Sequence, residues 1–247
     1  MTRILDIVDM QGDFMRKAGK LFVPNSDILV PRTNRFFAAI QPGYFDAALF
    51  KYDTHFADEY RHSPEKDFFP LHCEYGTQGW ELVVDPDLLA GKTDIRYMAK
   101  NTFDMWDRNP LPQSQQLAFK NNDEAKAYAN LHTVTEDRRV IAPGVLLQSF
   151  MDRLSGTGLK GVHVTLIGVA SDFCDDDAML GYLGNGANVA VVEDLVAGIG
   201  TQVPGRSTTG DIRDVITLDR FKPYAASGQL TLTTMDRVLK AMISPQP

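Results

Sequence analysis

Cys174 is one of two cysteines in the 247-residue chain, and it stands where the apolar run Val162–Ala170 gives way to a helix-like stretch opening at Asp175. A thiol with a free pKa of about 8.5 is a poor nucleophile, and a helix N-terminus lowers that value by favouring the thiolate. The position therefore predicts covalent catalysis, which also requires a base and a cation. Asp9 and Lys100 end two other expected strands. A carboxylate within reach of the thiol takes its proton and later returns it to a leaving amine, and a nearby ammonium favours both anions. Taken singly, Asp9 reads equally well as a loop or capping residue and Lys100 as a surface lysine. Cys73 reads as a small buried hydrophobe, and His132 and His163 as structural or exposed. Asp175, Asp176 and Asp177 suit the first turn of a helix but act against a thiolate if they face it.

A second group is Asp53-Thr54-His55. In extended chain, residues i and i+2 point to the same side, so Asp53 and His55 can hold one ion. His72, in Pro70-Leu71-His72-Cys73, offers a third ligand. One carboxylate and two imidazoles suit zinc, iron or manganese and leave positions open for water or substrate. His62 is either an extra ligand or a solvated residue.

Both groups need a framework. Short β-rich runs alternate with helix-like stretches, the pattern of a parallel sheet covered on both faces. Strands are expected at Arg3–Val8, Phe45–Tyr52, Asp94–Met98, Val162–Val169, Asn188–Val192 and near Gln229–Leu232, with helices beginning near Asp27, Gly144, Phe173, Thr209 and Met235. The expected fold is thus α/β, a three-layer α/β/α arrangement around a mostly parallel sheet of about six strands. A single domain spanning 1–247 is expected. The polar stretch at about 101–143, with Pro110 and Pro112 as breaks, reads as an insertion serving as lid or interface. Asp9, Asp53, Lys100 and Ser171–Cys174 all follow expected strands, so they fall on the carboxyl edge where open parallel sheets place their ligands.

The net charge of −7 and pI of about 5.2 argue against a nucleic-acid partner, which requires clustered Lys and Arg. Asp6 and Asp9 interrupt the first apolar run, so it does not read as a signal peptide, and no segment approaches the roughly 20 apolar residues of a membrane span. Two cysteines make no disulfide framework. A cytoplasmic protein acting on a small molecule is the expectation.

The segments Val8-Asp9-Met10-Gln11-Gly12-Asp13-Phe14, Asp53-Thr54-His55, Pro70-Leu71-His72-Cys73-Glu74-Tyr75-Gly76-Thr77, Lys100 and Gly168-Val169-Ala170-Ser171-Asp172-Phe173-Cys174 occur in one order, followed by Gly186-Ala187-Asn188-Val189 and Glu193-Asp194. In these the chain resembles the isochorismatase-like cysteine hydrolases, and among them the nicotinamidases, over most of its length. The resemblance implies a triad of Cys174, Asp9 and Lys100, a cis peptide before Ala170, and an oxyanion hole from the N–H groups of Ala170 and Cys174. It implies one divalent metal, zinc first and Fe2+ or Mn2+ otherwise, on Asp53, His55 and His72. Phe14 and Phe69 match positions that pack against a flat ring, and Phe103, Trp106 and Phe173 would extend an aromatic pocket. The implied activity is hydrolysis of nicotinamide to nicotinate and ammonia through a thioester. The alternatives are another small carboxamide or carbamoyl substrate and, more remotely, a non-catalytic metal- or ligand-binding module. Relatives in this superfamily are often homo-oligomers. The departures are the long segment after Lys100 and the three aspartates after Cys174, where the pattern has apolar and small residues.

Overall fold

The computed structural model describes residues 1–106, 117–200 and 209–243. Its strands are β1 (Arg3–Val8), β2 (Ala47–Asp53), β3 (Asp94–Lys100), β4 (Thr133–Thr135), β5 (Val145–Leu146), β6 (His163–Val169), β7 (Asn188–Ala197) and β8 (Leu230–Thr233). Its helices are α1 (Gly12–Met15), α2 (Leu29–Ala39), α3 (Ala57–Tyr60), α4 (Asn122–Ala129), α5 (Leu147–Ser155), α6 (Cys174–Gly184), α7 (Ile212–Val215), α8 (Lys222–Ser227) and α9 (Met235–Ile243). No helix among them is long and apolar enough to cross a membrane.

The strands form one sheet in the order β5-β4-β3-β2-β1-β6-β7-β8. The six expected strands are the six parallel ones, from β3 across to β8. The expected count of about six is corrected to eight, because β4 and β5 extend the sheet beyond β3 by antiparallel pairing. Tyr97 and Met98 pair with Thr135 and Val134. Runs of three and two residues carry no readable alternation, which is why the sequence conceals them. The stretch at 101–143 is therefore partly built into the sheet, with α4 beside it. Pro110 and Pro112, its expected breaks, lie outside the described residues.

Strands buried on both faces read as continuous apolar runs, and β1 shows the two directions. Leu5 and Ile7 join a core with Phe36 and Phe37 of α2, Phe50 of β2 and Val238 of α9. Ile4 and Val8 join a core on the other face with Leu49, Met98, Phe150 and Met151 of α5, and Met179 of α6. The same alternation puts Asp6, Lys51, Asp53 and Lys100 on the α5–α6 face, at positions where their neighbours are Val8, Leu49 and Met98. Charged side chains are thus led into the protein by strand register.

Gly168 shows how closely β1 and β6 approach. Its φ of +134° favours glycine, and a Cβ there would lie 2.1 Å from the Val8 carbonyl oxygen. Gly168→Ala is expected to lower stability by about 3 kcal/mol, read by urea unfolding. A change under about 0.5 kcal/mol, the usual range of surface substitutions, would show that the strands relax apart.

Candidate active site

The parallel strands end at one edge, and the residues expected to do chemistry are brought together there. Lys100, the last residue of β3, is 1% exposed. Its Nζ lies 2.8 Å from the Asp9 carboxylate and 3.6 Å from Asp53 Oδ1, and it donates to Cys174 Sγ at 3.3 Å. Asp9 is fully buried just past β1, in a left-handed conformation with φ of 50°. An Asp tolerates that region better than most side chains, and its carboxylate and the Cys174 thiol meet on the same Lys100 ammonium.

The electrostatics follow from burial. Desolvation pushes the Asp9 carboxyl above the usual range, against the pull of Lys100. Desolvation alone would lower the Lys100 ammonium, but Asp9, Cys174 and Asp53 outweigh it and keep the group charged. For Cys174, burial pushes the thiol well above its ordinary value, Lys100 opposes this, and Asp9 adds to it. This corrects the expectation of a depressed thiol pKa at the start of α6: the dipole of a helix terminus is worth less than the cost of burying a charge.

The turn carrying Cys174 leaves two backbone donors without a backbone acceptor among the described residues. The Val169–Ala170 peptide is cis. Ser171 N–H donates to the Ala197 carbonyl, and the N–H groups of Phe173 and Asp175 both donate to the Ala170 carbonyl. The amides of Ala170 and Cys174 have no such backbone acceptor among the described residues, so these two remain available.

Beside this group, Asp53, His55, Glu65 and His72 place one ligand atom each within 4.8 Å of one another, all buried. Nε2 of His72 is 2.9 Å and Nε2 of His55 3.2 Å from Asp53 Oδ2, and Glu65 Oε2 is 3.5 Å from His55 Nε2. Both ring nitrogens of His55 and both carboxylate oxygens of Glu65 are buried without a hydrogen bond. Buried polar atoms left this way cost several kcal/mol unless something binds them, and an N/O donor set of this kind fits a divalent cation. Nδ1 of His72 is 2.8 Å from the Pro70 carbonyl, which fixes the tautomer and turns Nε2 toward Asp53.

Glu65 was not among the expected ligands. It lies in a turn of 3-10 helix, Pro64–Asp67, whose N-cap Ser63 accepts the Glu65 N–H at 3.2 Å. The Ser-Pro start is a readable capping signal, but only the chain's return brings the carboxylate to His55. His62, the residue before that cap, is exposed and outside the group.

Side chains elsewhere hold these loops in place. Gln11 donates to the Asp53 and Trp80 carbonyls at 2.8 Å each and accepts from Asp53 N–H at 2.8 Å. Asp13 accepts the Cys73 N–H at 2.8 Å, next to His72. His55 N–H donates to the Cys73 carbonyl and Tyr75 N–H to the His55 carbonyl, clasping the two ligand segments together.

The aromatic side chains divide. Phe14 and Phe69 meet the His72 ring edge-on at 5.3 and 6.3 Å, and Phe173 packs on Phe69 at 5.4 Å and on Phe103 at 5.3 Å. Trp106, expected with them, instead packs edge-on against Tyr182 at 5.1 Å. Gly181 makes room for it, since a Cβ there would lie 1.7 Å from the indole nitrogen. Trp106 braces α6, and Phe103 stands with the other phenylalanines.

No protein-family model and no curated protein matches the sequence. Solved structures do match. PnC1 from L. infantum in complex with nicotinate aligns at a TM-score of 0.57 and 18% identity, covering 95% of this chain and 93% of that one. The pyrazinamidase of Pyrococcus horikoshii in complex with zinc aligns at 0.54 and 23% identity, covering 95% and 99%. An isochorismatase-like hydrolase from Alkaliphilus metalliredigens aligns at 0.54 and 13%, covering 98% and 99%. At these identities the likeness establishes the fold, which is that of the isochorismatase-like hydrolases.

Lys100→Met removes the ammonium that Asp9, Asp53 and Cys174 face together. Breaking a buried ion pair from one side costs about 3–5 kcal/mol, and a loss of that size is expected in urea unfolding. A loss below about 1 kcal/mol, the worth of an exposed pair, would mean that the anions are compensated by something else.

Proposed function

We propose that the protein is a metal-dependent amidohydrolase that cleaves a small carboxamide through a thioester on Cys174, with nicotinamide as substrate and nicotinate and ammonia as products. The observation that carries this reading is the buried ammonium of Lys100 lying 2.8 Å from Asp9 and 3.3 Å from Cys174 Sγ. It couples a carboxylate to a thiol in a site where neither anion would otherwise be tolerated.

Asp9 takes the thiol proton as Sγ bonds to the carboxamide carbon. The Lys100 ammonium stays protonated and faces whichever of the two groups carries the charge. The N–H groups of Ala170 and Cys174 donate to the tetrahedral oxyanion, a contribution of about 3 kcal/mol each. Protonated Asp9 then gives its proton to the departing nitrogen, and ammonia leaves. In the second half Asp9 accepts a proton from water, the water oxygen bonds to the acyl carbon, and Sγ departs and regains a proton. Phe14, Phe69, Phe103 and Phe173 exclude bulk water and present flat apolar surfaces to a planar ring. A divalent ion held by Asp53, His55, Glu65 and His72 would supply a Lewis acid that anchors a ring nitrogen or polarises a water. The choice of nicotinamide draws on the aromatic pocket and on the nicotinate and pyrazinamidase descriptions of two structures of the same fold.

Ammonia release from nicotinamide by the purified protein is the direct test. Wild type is expected to release it, Cys174→Ala to lose at least about a thousandfold in rate, and the variant to keep the wild-type metal content. Dialysis against a chelator is expected to abolish turnover and added zinc to restore it. Turnover of other carboxamides without nicotinamide would leave the reaction class and remove the substrate. Full activity in Cys174→Ala would remove the thioester.

A further inference from the structure

Directly beneath the reactive turn lies a second buried polar group that the proposed chemistry does not use. Asp175, the residue after Cys174 and the second of α6, is fully buried, and neither of its carboxyl oxygens has a hydrogen-bond partner. The charged groups acting on it are Asp9 after β1, Lys51 of β2, Asp6 of β1 and Asp172 in the turn after β6. Lys51 is the one cation in that set, and it is already committed: its Nζ lies 2.5 Å from Asp6 Oδ2 and sits 5.1 Å over the ring of Tyr182, whose hydroxyl also faces Asp6. Asp172 accepts the N–H groups of Ile199 and Gly200 at 2.9 and 2.8 Å. On the outer side of the same helical turn, Asp176 is held by the Arg220 guanidinium.

An ionised Asp175 would therefore join Asp6, Asp9 and Asp172 as a fourth carboxylate, while the Lys51 and Lys100 ammoniums are already paired with Asp6 and Asp9. A bound cation does not resolve this, because among the described residues these carboxylates form no group close enough to hold one. The helix terminus favours negative charge only modestly, and burying an unpaired charge costs more than it returns. We propose that Asp175 is a neutral carboxylic acid in the folded protein, a positioning residue that keeps negative charge away from Cys174 and Asp9. This rests on the reading of Cys174 as nucleophile and Asp9 as its base. Burial, with Asp9 next in effect, pushes the Asp175 carboxyl well above its usual range. Once it ionises, the new charge beside Asp9 opposes formation of the thiolate.

The protonation claim is tested without any substrate, by urea unfolding of wild type and Asp175→Asn across pH. The folded wild type retains a proton that the unfolded chain releases above about pH 4. Its folding constant therefore falls about tenfold per pH unit relative to the variant until the folded carboxyl titrates. The variant-to-wild-type ratio of folding constants is expected to rise about a hundredfold from pH 5 to pH 7. A ratio independent of pH would overturn the proposal. Asp175→Leu gives the same slope from an apolar side chain, should the buried amide of Asn prevent folding. The link to the nucleophile is read from iodoacetamide labelling of Cys174, followed on its own peptide. At alkaline pH the Asp175→Asn variant is expected to react up to about tenfold faster than wild type, one unit of thiol pKa. Superimposable labelling profiles would overturn the positioning role. Absence of carboxamide turnover in both proteins, with the stability slope present, would instead sink the amidohydrolase reading.

Discussion

One buried ammonium sets the terms for the rest of the molecule. Lys100 is out of water, and such a charge is tolerated only where good geometry repays its desolvation. Here the repayment comes from Asp9, Cys174 and Asp53, drawn from three separate segments. Their convergence depends on strand register. Asp53 is paired with Lys100 across β2 and β3, and Val8, just before Asp9, is paired with Lys51 across β1 and β2. A slip of one residue would turn every one of these side chains to the opposite face. The apolar packing of both faces is what makes the slip expensive.

The same burial that holds the charges together limits the nucleophile. Burial pushes the Cys174 thiol up, and in the proposed reaction the same exclusion of water strengthens the Ala170 and Cys174 amides toward an oxyanion. In that reaction, reactivity waits until Asp9 takes the proton with a carbonyl in place. Loop rigidity supports this. Gln11 locks the backbone of Asp53, and Asp13 locks that of Cys73, so the segments carrying Asp53 and His72 are both tied to the stretch just after β1.

Much of this was legible in order along the chain. The six parallel strands appear as apolar runs because their residues are buried on both faces, and Asp9, Asp53, Lys100 and Cys174 stand out as polar residues at their ends. The sequence alone did not disclose β4 and β5, whose few residues carry no periodicity, or Glu65, which reaches His55 only through the turn at Pro64–Asp67. Trp106 also escaped it. Its composition suits a ring-binding pocket, yet the small Gly181 draws it onto α6 instead.

What the sequence by itself determined is the list of reactive side chains, their order, and the α/β framework that ends in a common edge. Those follow from local rules, since apolar runs specify strands and polar breaks specify their ends. Charge state was left to the tertiary structure. A helix start favours a thiolate, and the aspartates that follow leave open whether they face it. The fold instead buries Cys174 and Asp175, gives Asp176 to Arg220 and commits Lys51 to Asp6. Ionisation depends on distance to other charges and to water, and both are properties of the packed interior rather than of any stretch of chain.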